Sequence, residues 1–217
     1  MLIEFKELFE KFNYKPKGIV HCGSSTGQER DKYAEFEIPV IWIEAIPEVY
    51  QELVQNLKPY PNQYPVLACL GEVDDKEVVF NVSNNEAQSS SYLQLGFHKT
   101  AHPSVEYIRT FTTKTQTLET VLSILNNSVI KVDKDWLLVG DLQGAEMLML
   151  EGAKNILHKF SGCYLEVNTK EVYEGCALKN EIEDYLTKYD FKPVEEFIYE
   201  QWGWGDQFFI KSNLLKV

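Results

Sequence analysis

Two apolar segments constrain the fold more than any other feature of this chain. Polar residues suited to binding a ligand follow the first segment and end the second. The first, residues 18–22, leads into a loop of small residues from Gly23 to Gly27, and the second, residues 40–44, ends at Glu44. A buried strand followed by such a loop lets ligand atoms approach backbone N–H groups. A helix predicted to begin near Thr26 would direct its positive end to the same place. The pattern predicts neighbouring parallel strands with a nucleotide-type site at their carboxyl ends.

The chemistry of the two segments narrows the ligand. An acidic residue such as Glu44, at the end of the second strand, is placed to accept hydrogen bonds from two ribose hydroxyls. The loop has Gly23 and Gly27 with three residues between them, and not the G-x-G-x-x-G spacing that packs a helix against a pyrophosphate. The sequence therefore favours a smaller nucleoside such as S-adenosylmethionine over a dinucleotide.

Strand and helix patterns alternate along most of the chain, which predicts an α/β fold with a seven-stranded, mostly parallel sheet and helices on both faces. A short turn joins the last two predicted strands, so we expect them to pair antiparallel. The strands are predicted at residues 18–22, 40–44, 64–70, 137–141, 163–167, 194–199 and 206–210. Helices are predicted at residues 5–12, 26–36, 47–57, 118–125, 145–157 and 178–189. The alternation breaks at residues 77–125, which we interpret as a lid inserted into a single domain of residues 1–217.

Composition limits the function. The chain has 21 Lys and Arg against 33 Asp and Glu, a formal net charge of -12 that disfavours a nucleic-acid partner. No stretch approaches the roughly 18 apolar residues of a transmembrane segment. The four cysteines form no C-x-x-C pair, and reduced core thiols are typical of a cytoplasmic protein.

Three segments together resemble the FkbM-type family of S-adenosylmethionine-dependent methyltransferases. The most specific is the hexapeptide that begins at Asp141 and ends at Glu146, because glycine-rich loops alone are common. The three segments are His21-Cys22-Gly23-Ser24-Ser25-Thr26-Gly27-Gln28-Glu29, Trp42-Ile43-Glu44-Ala45-Ile46-Pro47-Glu48 and Asp141-Leu142-Gln143-Gly144-Ala145-Glu146. The resemblance implies a Rossmann-like class I methyltransferase fold with S-adenosyl-L-methionine as the cofactor. One departure is His21, which stands where many family members carry Asp.

The resemblance and the positions of residues at the ends of predicted strands together give a set of cofactor-binding candidates. The first loop would bind the methionine end through backbone donors, Glu44 the ribose, and the residues after it the adenine. The candidates are His21, Gly23, Ser24, Ser25, Gly27, Glu44, Ala45, Ile46, Leu70, Gly71, Asp141 and Gln143. Each has a structural alternative: Glu44 as a solvated strand-end acid, His21 as a core histidine, and Leu70 and Gly71 as turn residues.

Transfer to an alcohol requires a group that takes a proton from the acceptor. The catalytic candidates are Asp141, Glu166 and His102, with His98 ranked behind His102. The alternative for Asp141 is the N-cap of the helix that follows it, and the alternative for each histidine is an ordinary surface loop. Asp141 and Glu166 make a divalent metal possible, but two carboxylates are too few to predict one.

The sequence therefore predicts an O-methyltransferase that acts on a hydroxyl group of a small molecule or glycan, the acceptor implied by the resemblance. One alternative is a nicotinamide-dependent oxidoreductase on a similar sheet, which the short loop from Gly23 to Gly27 opposes. A catalytically inactive cofactor-binding module is the other, and His21 is its only support. The sequence does not indicate an oligomeric state.

Overall fold

The strands of the protein follow the predicted alternation closely. The computed structural model describes residues 1–215. Its strands are β1 (Ile19–Cys22), β2 (Val40–Glu44), β3 (Gln63–Leu67), β4 (Cys69–Leu70), β5 (Glu77–Ser83), β6 (Tyr107–Gln116), β7 (Trp136–Gly140), β8 (Phe160–Asn168), β9 (Phe191–Tyr199) and β10 (Trp204–Lys211). Its α-helices are α1 (Phe5–Lys11), α2 (Arg30–Ala34), α3 (Pro47–Leu57), α4 (His98–Ala101), α5 (Leu118–Asn126), α6 (Glu146–Gly152) and α7 (Lys179–Thr187).

Seven strands form the central sheet, in the order β3-β2-β1-β7-β8-β10-β9. The first five of these are mutually parallel, and β10 runs antiparallel to both of its neighbours. The chain order reverses between β1 and β7, so the loops after these two strands diverge and leave a crevice at the carboxyl edge of the sheet. The predicted fold class, including the antiparallel final pair, is confirmed.

The sheet strands contribute to two separate cores, because successive side chains of a strand point to opposite faces of the sheet. Ile19 packs with Tyr33 and Leu53, on the face that α1, α2 and α3 cover. Its neighbour Val20 belongs to the core on the other face, which α5, α6 and α7 cover. Continuous burial on both faces explains why β1, β2 and β7 read as unbroken apolar runs.

The helix after the first loop differs from the prediction. It was expected over residues 26–36, but α2 covers only Arg30–Ala34, and residues 23–29 form a series of turns. Positive φ angles at Ser25 (47°) and Gly27 (75°) interrupt a right-handed helix there. The helix therefore begins at Arg30, after the glycine loop, and not near Thr26.

Residues 64–70 also differ from the prediction, which had one strand there. The segment divides between β3, at the edge of the central sheet, and β4, which joins β5 and β6 in a separate three-stranded sheet. The helix predicted over residues 145–157 stops at Gly152, and a short 3₁₀ turn covers Leu157–Lys159. A Cβ at Gly152 would lie 2.2 Å from the backbone oxygen of Gly71, so glycine permits the contact between α6 and the end of β4.

The segment between β5 and β6 folds back over the carboxyl edge of the central sheet. Ser89, Ser90, Ser91 and His98 are buried in it, and the isolated bridge between Leu95 and Tyr173 ties it to the loop after β8. Within residues 1–215, no helix combines the length and apolar character needed to cross a membrane.

Candidate active site

A cavity of about 500 Å³ lies where the loops after β1, β2, β7 and β8 meet the segment between β5 and β6. Most of the predicted site residues line it. Those that do are His21, Gly23, Ser24, Ser25, Glu44, Ala45, Ile46, Leu70, His102, Asp141, Gln143 and Glu166. Gly27 and Gly71 are not among the lining residues: Gly27 faces the side chains of Leu53 and Leu57, and Gly71 faces Thr115.

Gly23 brings the first loop against the loop after β7. Its φ is 79°, and a Cβ at this position would lie 1.8 Å from the backbone oxygen of Asp141. Only glycine satisfies both conditions, because other residues disfavour this φ and need space for their side chain. The contact fixes the width of the crevice between β1 and β7.

Four of the five backbone N–H groups of residues 23–27 already donate within the protein. Gly23 and Ser24 donate to the carbonyl oxygen of Ile43, Ser25 donates to Glu44, and Gly27 donates to the carbonyl oxygen of Ser24. The Ser24 hydroxyl, in contrast, is buried and has no hydrogen-bond partner among the described residues. In this conformation the loop therefore offers a ligand the Ser24 hydroxyl in place of the expected backbone donors at these positions.

Glu44 is buried at the end of β2, which contradicts the alternative of a solvated strand-end acid. Its carboxylate accepts hydrogen bonds from the N–H groups of Ser25 (2.9 Å), Ala45 (2.9 Å) and Ile46 (2.8 Å). A carboxylate has about four acceptor positions, so roughly one remains for a ligand. Burial raises the pKa of Glu44 to about 7, although the three hydrogen bonds oppose this.

His21 combines the two roles that sequence left open. Its ring stacks on Trp42 with centroids 5.0 Å apart, and its Nδ1 lies 3.2 Å from the hydroxyl of Tyr33. Burial lowers the pKa of His21 to about 3, so the imidazole is neutral. It is a core histidine that also lines the cavity.

A polar network occupies the loops after β7 and β8. The amide Nε2 of Gln143 donates to Asp141 Oδ1 at 2.6 Å and to Glu166 Oε2 at 3.0 Å. The hydroxyl of Tyr173 donates to the amide oxygen of Gln143 at 2.5 Å. Gln143 has a φ of 53°, unusual for a residue with a side chain, and this conformation turns its amide towards both carboxyl groups. One glutamine thus orients the two acidic candidates.

The environments of Asp141 and Glu166 differ. Burial raises the pKa of both, and the charge of Asp141 raises that of Glu166 further, to well above its ordinary value. Two neighbouring carboxyl groups do not both ionise easily. The arrangement favours a protonated Glu166 beside an ionised Asp141 at neutral pH.

Asp141 does not cap the helix that follows it. α6 begins at Glu146, with no side-chain cap at the preceding residue. The buried carboxylate of Glu146 instead accepts hydrogen bonds from the N–H groups of Leu142 (2.7 Å) and Gly144 (3.4 Å). The acid at the end of the hexapeptide therefore closes the loop, and Asp141 is left to face the cavity.

Several lining residues were not among the predicted site residues. Tyr173, Ser89 and Asp206 line the cavity, and so does His98, which ranked behind His102. Sequence offers a signal for three of these residues, because the short segments Tyr173-Glu174-Gly175, Ser89-Ser90-Ser91 and Gly205-Asp206 also resemble the FkbM-type family. Among residues 1–215, no group of three His, Cys, Asp or Glu side chains is placed to hold a metal ion.

The buried carboxyl groups make stability depend on pH. A pKa of about 7 for Glu44 lies above its ordinary value of 4.5, so the folded state holds this proton more tightly than the unfolded state. The resulting stabilisation is present below pH 4.5 and is lost as the pH rises through 7. Between pH 5.5 and pH 8 the loss is about 2 kcal/mol for this one group.

Glu44→Gln is expected to remove this loss. Wild type and variant should be compared by urea denaturation of the cofactor-free protein at both pH values. The lowered pKa values of His21 and His98 give the free energy of unfolding a pH dependence of the opposite sign. Because both proteins contain these histidines, their contribution cancels in the difference between wild type and variant. The matched control is Glu48→Gln, since Glu48 is 68% exposed at its side chain. An identical pH dependence in wild type and Glu44→Gln would contradict the buried proton.

The strand order and the site at its switch point define the class of protein. Fibrillarin pre-rRNA processing protein of Methanococcus jannaschii is 15% identical, with a TM-score of 0.51 over 91% of this chain and 67% of its own. Fibrillarin of Aeropyrum pernix, in complex with natively bound S-adenosyl-L-methionine, is 10% identical, with a TM-score of 0.50 and the same two shares. At these identities the likeness shows the fold, which is the Rossmann-like class I methyltransferase fold.

The family follows from the sequence itself. The model of the methyltransferase FkbM domain matches residues 21–193, and the chain therefore belongs to the FkbM methyltransferase family. The suspected family is confirmed, and with it a methyltransferase that uses S-adenosyl-L-methionine. This favours methyl transfer over the oxidoreductase alternative. No curated protein matches the chain.

Proposed function

We propose that the protein is an S-adenosylmethionine-dependent O-methyltransferase whose acceptor is a hydroxyl group of a small molecule or glycan. The observation that carries the proposal is one continuous cavity, with the buried acid Glu44 and the oriented pair Asp141 and Glu166 among its lining residues. Glu44 is suited to binding a ribose, and the pair Asp141 and Glu166 is suited to a hydroxyl group that loses a proton.

The lining residues support an assignment of the cofactor sites. Glu44 accepts a hydrogen bond from the ribose at its remaining acceptor position, and the Ser24 hydroxyl binds the methionine carboxylate. Ala45, Ile46 and Leu70 supply apolar contacts for the adenine. Gly27 and Gly71 lie outside this lining and support the adjoining loops.

Bound S-adenosylmethionine would supply an activated methyl group for the acceptor oxygen. Asp141 takes the proton from the acceptor hydroxyl. Glu166, kept protonated, and Gln143 hold the Asp141 carboxylate in position through the network described above. His102 remains the alternative group for this proton.

The charge of the cavity supports an acceptor without phosphate. Five carboxyl groups line it, and the described lining includes no Lys or Arg; the acids are Glu29, Glu44, Asp141, Glu166 and Asp206. Those acids that are ionised at neutral pH, Asp141 among them, stabilise a sulfonium and repel a phosphate. Although the M. jannaschii relative is a pre-rRNA processing protein, we therefore propose no nucleic-acid partner here.

An aromatic group at the cavity rim favours a glycan. The rings of Tyr199 and Trp202 are 4.5 Å apart, Trp202 and Trp204 stack at 6.3 Å, and Trp202 lies 5.4 Å from the ring of His102. Trp204 lines the cavity. Flat aromatic faces with polar neighbours suit the apolar face of a sugar ring.

The test is transfer of labelled methyl groups from S-adenosylmethionine to a panel of methyl pyranosides, oligosaccharides, phenols and ribosomal RNA. We expect labelling of a hydroxyl in a neutral member of the panel. Labelling of RNA alone would contradict the proposed acceptor. Tight binding of S-adenosylmethionine without labelling of any member would favour an inactive cofactor-binding module.

Glu44→Ala is expected to weaken S-adenosylmethionine binding by roughly 1–3 kcal/mol, the scale for hydrogen bonds to a charged group. Calorimetry at pH 8, where Glu44 is ionised, measures this directly. Glu48→Ala, an exposed acid on α3, controls for the change in net charge. Equal affinities of wild type and Glu44→Ala would remove the ribose role.

Two further proposals concern organisation. We propose that residues 1–217 form a single methyltransferase domain in which residues 77–125 act as a lid over the acceptor, supported by the lid residues that line the cavity. We also propose a cytoplasmic location, which the four buried, free cysteines support.

A further inference from the structure

His98 has one ring nitrogen without a role in the fold. The residue begins α4 in the lid, is 5% exposed, and lines the cavity. Its Nε2 lies 3.1 Å from the hydroxyl of Ser89, whereas its Nδ1 is buried without a hydrogen-bond partner among residues 1–215. A buried polar atom without a partner costs about 1–3 kcal/mol, which a bound ligand can recover.

Ser89 determines which nitrogen of His98 is left for a ligand. Ser89 Oγ accepts a hydrogen bond from the side-chain amide of Asn85 at 3.0 Å and keeps one further lone pair. When His98 Nε2 donates to that lone pair, Nδ1 carries the free lone pair.

The ring of His98 is held in place on two sides. Its centroid lies 5.0 Å from that of His102 and 5.5 Å from that of Tyr173. Tyr173 is the residue that donates to Gln143, so His98 stands next to the network that contains Asp141 and Glu166. His98 and Asp141 both line the cavity, so a methyl acceptor bound at Asp141 shares the cavity with the ring of His98.

We propose that His98 Nδ1 accepts a hydrogen bond from a second hydroxyl group of the methyl acceptor, and that the acceptor is consequently a polyhydroxylated compound such as a sugar. The inference rests on the proposed O-methyl transfer and decides between the two acceptor classes left open there. His98 acts as a binding residue and not as the base. Burial, together with the nearby His102, lowers its pKa to about 4, so it accepts hydrogen bonds but takes protons poorly.

Two variants separate this role from a structural one. His98→Asn keeps a polar atom near the Nδ1 position, and His98→Gln keeps one near the Nε2 position. If His98 binds the acceptor, His98→Gln should raise the KM about tenfold or more for the methyl pyranoside that the panel identifies. His98→Asn should raise this KM less. If His98 only holds Ser89, the order should reverse. Both variants should keep the wild-type Kd for S-adenosylmethionine.

Deoxy analogues of the pyranoside identify the second hydroxyl. Removal of the hydroxyl that His98 binds should lower kcat/KM about tenfold in wild type and have little effect in His98→Gln. Equal losses in both enzymes for every deoxy analogue would overturn the proposal. So would transfer to phenols with one hydroxyl but to no pyranoside, an outcome that leaves the methyltransferase function intact.

Nitrogen NMR of histidine-labelled protein tests the tautomer without turnover. The His98 signals are those missing from the spectrum of His98→Gln. We expect a protonated Nε2 and an unprotonated Nδ1, with the Nδ1 signal shifting when methyl pyranosides are added to the complex with S-adenosylhomocysteine. The opposite tautomer would overturn the assignment.

Discussion

Asp141→Asn is expected to lower kcat by about 10²-fold or more while the affinity for S-adenosylmethionine stays nearly unchanged. Asparagine keeps the size of the side chain and can still accept the hydrogen bond from Gln143, so the fold of the loop should persist. It cannot take a proton from the acceptor. The measurement is kcat on the labelled acceptor together with cofactor Kd by calorimetry.

The structure sharpens this prediction, because it removes the competing explanation. Asp141 does not cap α6, since Glu146 binds the N–H groups at the entry of that helix. Asp184→Asn, at an exposed position on α7, is the matched control. Full activity of Asp141→Asn would transfer the catalytic role to Glu166 or His102.

Gly23→Ala is expected to destabilise the protein by more than about 3 kcal/mol and to abolish measurable cofactor binding. The added Cβ would lie 1.8 Å from the backbone oxygen of Asp141, and the φ of 79° is unfavourable for alanine. Relief of the overlap requires the loops after β1 and β7 to separate. Backbone strain and overpacking each contribute about 1–3 kcal/mol.

Gly175 supplies the control for Gly23. Its φ is 76°, almost the same, but a Cβ there would have no heavy atom within 4 Å. Gly175→Ala should therefore cost only the backbone strain, about 1–2 kcal/mol, and leave cofactor binding intact. Urea denaturation and calorimetry of both variants separate strain from overlap. Equal destabilisation of the two proteins would show that the contact between Gly23 and Asp141 is unimportant.

The hydrophobic pattern of the sequence determined the sheet. The continuous apolar runs of β1, β2 and β7 predict strands buried on both faces. The short turn between the strands predicted at residues 194–199 and 206–210 predicts the antiparallel pair of β9 and β10. The same strand ends placed Glu44, Asp141 and Glu166 at one edge, because carboxyl ends of parallel strands meet there.

Only the tertiary structure decided how these residues are used. Sequence did not reveal that the N–H groups of the glycine loop bind Ile43 and Glu44, since that depends on the distance between neighbouring strands. Nor did it reveal the link from Tyr173 through Gln143 to two carboxyl groups, or the nitrogen of His98 that has no partner among residues 1–215. Local pattern fixes which residues reach an edge, because alternation and burial are properties of short segments. Hydrogen-bond partners and pKa values arise between segments far apart in the chain, and packing alone brings those segments together.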